Sequence, residues 1–238
     1  MKRLGINIDH VATLRNARGE GHPDVVDIAK IVKKAGANSI TVHLREDRRH
    51  INDNDLKILS RTKIPINLEI ACSIKMMNIA IKYEPNFVCL VPEKRKELTT
   101  EGGLNLVKNY KKIEHIIKKL NQYKIRTSLF INPKIKDIQY SKKLNSQCIE
   151  LHTGKISEMI KNKKNYLNEF NKIKKCSSYA KLLGLEVHAG HGMDYKTTKI
   201  LNNIKEIEEF NIGHFIIGES IMFGLKNVIK KFQKIIKK

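Results

Sequence analysis

The sequence is short of several features that would decide its class at once. No apolar run among its 238 residues nears the length a bilayer crossing needs. Its four cysteines, Cys72, Cys89, Cys148 and Cys176, form no CxxC pair and no metal spacing, so reduced, structural thiols are expected. There is no GxGxxG turn after a strand, no HxH on the first strand and no HExxH. No Pro/Ser-rich linker divides the chain and no short-period repeat runs through it, so residues 1–238 are expected to form one domain. Acidic residues are scarce, 24 against 46 basic, for a net charge of +22. That excess invites a nucleic-acid reading. Its distribution argues against one, because only nine of the basic residues are arginine and the lysines are spread along helical stretches such as Lys111–Lys119. Specific nucleic-acid binding is therefore not expected. The segment Met1–Asn7 enters a strand at once, which leaves no room for a targeting peptide and makes the cytoplasm the expected compartment.

What is present is an alternation of short β-rich runs and longer helix-patterned segments. Strands are expected at Leu4–Asp9, Ser39–Leu44, Ile66–Ala71, Phe87–Pro92, Thr127–Asn132, Cys148–Thr153, Leu185–Gly190 and His214–Glu219. Helices are expected at Asp24–Gly36, Ser73–Tyr83, Leu104–Tyr123, Ile135–Leu144, Ser157–Leu183 (with a break or an added helix) and Ile221–Lys238. Eight β-then-α units in a chain of this length are the pattern of an α/β protein of the (β/α)8 TIM barrel type, with additional helices. Strand parity supports it. Ile6 and Ile8, Ile66 and Ile70, Ile149 and Leu151, and Val187 and Ala189 make clean apolar faces to pack under helices. The opposite faces carry Asn7 and Asp9, Asn67 and Glu69, Glu150 and His152, and Glu186 and His188. Inward carboxylates and imidazoles are costly to desolvate unless paired or used, so their convergence on one mouth points to a site.

The densest stretch is Thr41–His50, where parity puts Thr41, His43 and Arg45 on one face before a run of charges. Glu46, Asp47, Arg48 and Arg49 can equally pair with one another and hold the loop. Asn7–Gly19 reads as a loop in which Asn7 and Asp9 face inward and Arg18 can return over the mouth; Asp9 reads equally well as a cap. Glu69, inward among apolar neighbours, should have a raised pKa suited to acid–base work. Arg15, Arg18, Arg45, Arg48, Arg49 and Arg95 follow strands, where a planar fork suits phosphate or carboxylate. Thr99 and Thr100, before Gly102-Gly103, fit either a phosphate or a helix cap. The loops holding His191-Gly192 and Gly213-His214 occupy the position where barrels often hold a phosphate. A metal site is disfavoured, because the arginines would crowd a cation.

Together, Asn7–Gly19, Thr41–Ile51, Asn67–Ala71, Cys89–Gly103, Glu150–Gly154, Ala189–Gly192 and Asn211–Gly218 resemble the pyridoxine 5′-phosphate synthase family over nearly the whole chain. The resemblance implies condensation of 1-deoxy-D-xylulose 5-phosphate with 3-amino-2-oxopropyl phosphate to pyridoxine 5′-phosphate, phosphate and water. It implies no metal or organic cofactor, and an octamer of barrels. It also implies His43 and Glu69 as general bases, His191 as proton donor and Glu150 as a transition-state stabiliser. Asn7, Arg18, Gly192, Gly213 and His214 match ligands of the amino-ketone phosphate; Asp9, His10, Arg45, His50 and Thr99 match ligands of the deoxyxylulose phosphate. Two departures stand out: His188 where relatives usually carry Asn, and Glu219, which puts a carboxylate near the expected phosphate loop. A Schiff-base aldolase is the rival among enzymes, but none of the expected strands contains a lysine.

Overall fold

The computed structural model describes residues 1–93 and 102–237. Eight parallel strands close into a barrel in sequence order. They are β1 (Arg3–Asn7), β2 (Ser39–His43), β3 (Ile66–Ala71), β4 (Phe87–Val91), β5 (Arg126–Ile131), β6 (Cys148–His152), β7 (Glu186–Gly190) and β8 (Ile207–Ile212). Around them run α1 (Asp9–Arg18), α2 (Val25–Lys34), α3 (Asp53–Leu59), α4 (Ile74–Tyr83), α5 (Tyr110–Gln122), α6 (Ile135–Lys143), α7 (Gly154–Lys161), α8 (Leu167–Leu182), α9 (Tyr195–Leu201), α10 (His214–Phe223) and α11 (Leu225–Ile236). The expected (β/α)8 architecture with additional helices is the one observed.

Two cores follow from strand parity. Outward residues such as Leu4, Ile6, Ile40, Val42, Leu68 and Ile70 join the helices' apolar faces in one large buried cluster. The helices are cut to match it: α11 buries Val228, Ile229, Phe232 and Ile236 on one stripe. Each such side chain contributes about 1.5–3 kcal/mol when fully buried. Inside the barrel the only separate apolar cluster among the described residues is small, Cys89, Val91 and Phe130. The remaining inner face is polar. Thr41 Oγ1 lies 3.4 Å from both Asn67 Nδ2 and Asn211 Oδ1, and Asn211 Nδ2 donates to Glu150 Oε2 at 2.8 Å.

Three sequence expectations are corrected. The eighth strand is Ile207–Ile212, and His214–Glu219 is instead the first part of α10. In Ile207–Ile212 alternation sends Phe210 and Ile212 under the helices and turns Glu209 and Asn211 inward, a pattern masked by two adjacent glutamates. His214–Glu219 has the β-branched composition of a strand, but Gly213 ends β8 and of α10 only Ile216 is buried. Asn7–Gly19 is not a loop either, since α1 begins at Asp9 directly after β1. The helix expected from Leu104 starts at Tyr110. The expected break in Ser157–Leu183 separates α7 from α8.

Candidate active site

One cavity of about 590 Å³ opens at the C-terminal ends of the strands. Its lining includes Arg49 and takes in twelve of the fourteen site residues implied by the resemblance: Asn7, Asp9, His10, His43, Arg45, His50, Glu69, Glu150, His191, Gly192, Gly213 and His214. Arg18 is not among them. It sits at the exposed end of α1, 4.0 Å from Glu20. Thr99, like Arg95, lies outside the described residues.

Asp9 is the bracket between β1 and β2. Its Oδ2 accepts from Asn7 Nδ2 at 2.8 Å and its Oδ1 from the His43 backbone N–H at 2.8 Å. It therefore does not act as a side-chain cap of α1. His43, buried at the end of β2, has a carboxylate near each ring nitrogen: Glu69 Oε2 3.8 Å from Nδ1 and Glu93 Oε2 3.5 Å from Nε2. His43 and Glu69 are register partners on β2 and β3, which fixes that pairing in the backbone.

The two carboxylates are in opposite electrostatic states. Burial, followed by the negative charges of Glu150 and Asp9, pushes Glu69 well above the usual carboxylate range. Burial also acts against the charge of Glu93, but His43, the Glu46 backbone N–H and Arg45 outweigh it and hold Glu93 low. Glu150, across the barrel, is pushed up to about 7, mainly by burial, with His188 and the Asn211 hydrogen bond working the other way. Carboxyl groups separated in this way can hold and accept protons near neutrality.

Across the mouth, His191 packs against His152 with ring centroids 4.9 Å apart, and Phe130 meets His152 edge-on. Burial lowers both imidazoles, His152 to about 4. His191 adopts φ +82° and Gly192 φ +74°. A positive φ is easy for glycine and costs a histidine of order 1 kcal/mol or more, so the turn holds His191 against a local preference. The turn is tied to α7 through Thr153, whose hydroxyl oxygen lies 2.7 Å from the carbonyl oxygens of both Gly190 and His191, with one proton to donate between them. Gly213 precedes α10, and His214 packs on His10 with centroids 4.9 Å apart. The first amides of α10 and the helix dipole make this corner suitable for an anion. Glu219 is not part of it: it lies further along α10, outside the cavity lining, with its charge acting on Tyr195.

Most of the arginines expected to meet substrate meet protein carboxylates. Arg15 forks onto Asp55 at 2.6 and 2.8 Å, Arg48 onto Asp53 and Arg49 onto Asp47. The charge run after β2 thus largely pairs within itself and with α3. Arg45 lies past the end of β2, buried, 3.3 Å from Asp47 Oδ1 and 3.8 Å from Glu93 Oε1. Asp9, His43 and His50 each offer a ligand atom within 4.8 Å of one another. Asp9 already accepts two hydrogen bonds, and His50 Nδ1 accepts from the Ile51 N–H at 2.9 Å. The trio is therefore better arranged for substrate polar groups than for a cation.

An eighth strand expected at His214–Glu219 begins beyond Asn211 and so hides its inward position. Glu93 is signalled only by parity, which Cys89, Val91 and Glu93 continue. The place of His152 beside His191 has no signal in the sequence.

The family model for pyridoxal phosphate biosynthesis protein PdxJ matches residues 4–238. A curated relative from Pelagibacter ubique, pyridoxine 5′-phosphate synthase, is 64% identical over 239 residues, covering 100% of both chains. One of the same name from Blochmanniella floridana is 46% identical, covering 98% of this chain and 95% of its own. Among solved structures, the tryptophan synthase A-subunit of Pyrococcus furiosus superposes with a TM-score of 0.62 at 11% identity, covering 100% of this chain and 98% of that one. Phosphoribosylanthranilate isomerase of Thermotoga maritima gives 0.57 at 13%, covering 100% and 99%. At such identities these two share the barrel and nothing finer. The match to the family model and the full-length identity to its curated relatives place the functional assignment on firmer ground: the chain is an enzyme of the PdxJ family of pyridoxal phosphate biosynthesis proteins.

Proposed function

We propose that this enzyme is a pyridoxine 5′-phosphate synthase that condenses 1-deoxy-D-xylulose 5-phosphate with 3-amino-2-oxopropyl phosphate, releasing phosphate and water. The observation that carries the reading is the convergence of His43, Glu69, Glu150 and His191 on one cavity flanked by an anion-suited helix start. Ring closure between an amine and a ketone, with loss of phosphate and water, is a series of proton transfers to and from carbon, nitrogen and oxygen. Groups that can both hold and accept a proton near neutrality serve such a series.

In this reading His43, oriented by Asp9 through its backbone and by two carboxylates at its ring, accepts the first proton from substrate. Glu69 serves a later transfer, and its burial raises its basicity once ionised. His191 donates to a departing oxygen, and Glu150 stabilises positive charge developing on nitrogen. Gly192, Gly213 and His214, with Asn7, receive the amino-ketone phosphate. Asp9, His10, Arg45 and His50 receive the deoxyxylulose phosphate, and Arg18 and Thr99 complete the two sets. The chemistry assigned here asks for no metal or organic cofactor. The family's octameric assembly and a cytoplasmic location are proposed with it; light scattering that gives eight chain masses checks the first.

The test is to incubate the purified chain with both phosphorylated substrates together and with each alone. Pyridoxine 5′-phosphate should form only when both are present. No product from competent substrates overturns the assignment.

A further inference from the structure

Below the cavity the barrel interior holds an ionic cluster, buried at His188 and Glu209 and partly exposed at Arg3 and Arg126, whose upper member is Glu150. Strand register builds it. Glu150 on β6 pairs with His188 on β7, His188 with Glu209 on β8, and Glu209 with Arg3 on β1. The row alternates in sign across four consecutive strands. His188 Nε2 lies 2.7 Å from Glu186 Oε1, and its Nδ1 lies 3.9 Å from Glu209 Oε1. Arg3 Nε meets Glu209 Oε2 at 2.7 Å, and Arg3 and Arg126 each pair closely with Glu186. With Cys148, Glu186 and His188 offer ligand atoms within 4.8 Å of one another, but the two arginines already occupy both Glu186 oxygens, which leaves no carboxylate for a metal ion.

Arg3, Arg126 and a protonated His188 make three cations, against the two carboxylates Glu186 and Glu209. The next carboxylate along the row, the register partner of His188, is Glu150.

We propose that His188 is a positioning residue for the reaction, the buried cation that sets the charge state of Glu150 from beneath the cavity. The proposal rests on the reading that Glu150 acts in catalysis, and extends it by naming what controls that group. Around His188 stand Glu186 on its own strand, Cys148 and Glu150 on β6, Glu209 on β8 and Arg3 on β1, with Arg3 Nη2 3.4 Å from its Nε2. Around Glu150 stand His188, Glu209 and Asn211, while Glu69 on β3 and Cys89 on β4 feel its charge from across the barrel. Burial works against the charge of His188, but Cys148, Glu186 and Glu209 outweigh it and raise the imidazole to about 10. His188 lowers the proton affinity of Glu150, and Glu209 raises it.

The two neighbours therefore predict shifts of opposite sign, which general loosening of the barrel would not produce. The carboxyl carbon of Glu150 is followed by NMR through a pH titration of the full chain labelled with ¹³C-glutamate, and is assigned by its loss in Glu150→Gln. His188→Asn removes the third cation and leaves two arginines against two glutamates, so a balanced cluster remains. Its Glu150 midpoint should rise by about one pH unit or more, a tenfold gain in proton affinity. Glu209→Gln should move the midpoint down. In the product assay the acidic limb of kcat should follow each shift, with KM little changed. An unmoved midpoint in His188→Asn, or shifts of the same sign in both variants, overturns the proposal. If His188→Asn does not fold, the downward shift in Glu209→Gln carries the test, and its absence refutes the idea. The titration needs no substrate, so a chain that shows both shifts but makes no product loses the functional reading, and with it the role of His188 in that reaction, and keeps only the control of Glu150 by His188. A chain that makes product with an unmoved midpoint does the reverse.

Discussion

Gly190→Ala is the most diagnostic single-methyl change. An ideal Cβ built on Gly190 overlaps Glu150 Oε1 and comes within 2.8 Å of Glu150 Cδ. Gly190 lies in the barrel wall at the end of β7, bonded through its carbonyl to the Thr153 amide and hydroxyl, so its backbone cannot easily give way. The carboxylate must retreat instead, by about 1 Å or more, to restore ordinary van der Waals contact. That retreat breaks the 2.8 Å hydrogen bond from Asn211. A buried hydrogen bond to a charged group is worth about 1.5–3 kcal/mol, and an Å-scale misplacement in a site can cost about a hundredfold in rate. Gly190→Ala should therefore lose at least about a hundredfold in kcat/KM while remaining folded by circular dichroism, with a lower Tm. Adding Glu150→Asp shortens the side chain and relieves the overlap, so the double variant should regain stability but not activity. A Gly190→Ala enzyme within twofold of the parent in the product assay would refute the claim that the placement of Glu150 matters.

Glu69→Gln should abolish most turnover, by about 10²–10⁴-fold, and leave the fold intact; full turnover would remove Glu69 from the mechanism. The folded chain raises the pKa of Glu150 to about 7, so it binds that proton more tightly than the unfolded chain does. This stabilisation is present at acid pH and is lost as pH rises from about 4.5 to about 7, so the Tm advantage of Glu150→Gln over the parent should grow across that window. Asp55→Asn weakens the buried fork from Arg15 and the reciprocal cap with Asn52, and should cost about 3 kcal/mol in denaturant unfolding. Cys89, Cys148 and Cys176 are buried, and burial pushes the half-buried Cys72 thiol up to about 12. A thiol reagent at pH 8 should thus react slowly with the native chain and with four thiols after denaturation.

The barrel was legible from sequence because parity and β/α alternation are backbone-level signals repeated eight times. The site was legible where a strand delivered its own inward residue, as with His43, Glu69 and Glu150. It was not legible where a charged pair hid the alternation, as at Glu208-Glu209, and Asn211 was lost with the strand. The arginines misled for a related reason. A guanidinium in a loop suits substrate phosphate and a neighbouring aspartate equally, and sequence cannot say that Asp47, Asp53 and Asp55 stand within reach. His188 also became informative only through register, which joins it to Glu150 on one side and Glu209 on the other.

Stoichiometry is the sharpest check that ring closure and phosphate loss belong to one reaction. With both substrates supplied in the presence of a chelator, released phosphate and pyridoxine 5′-phosphate are counted in the same reaction over successive turnovers. One phosphate per ring product is expected at every time point, with both signals lost in Glu69→Gln. Phosphate released without ring product, or neither formed, would contradict it.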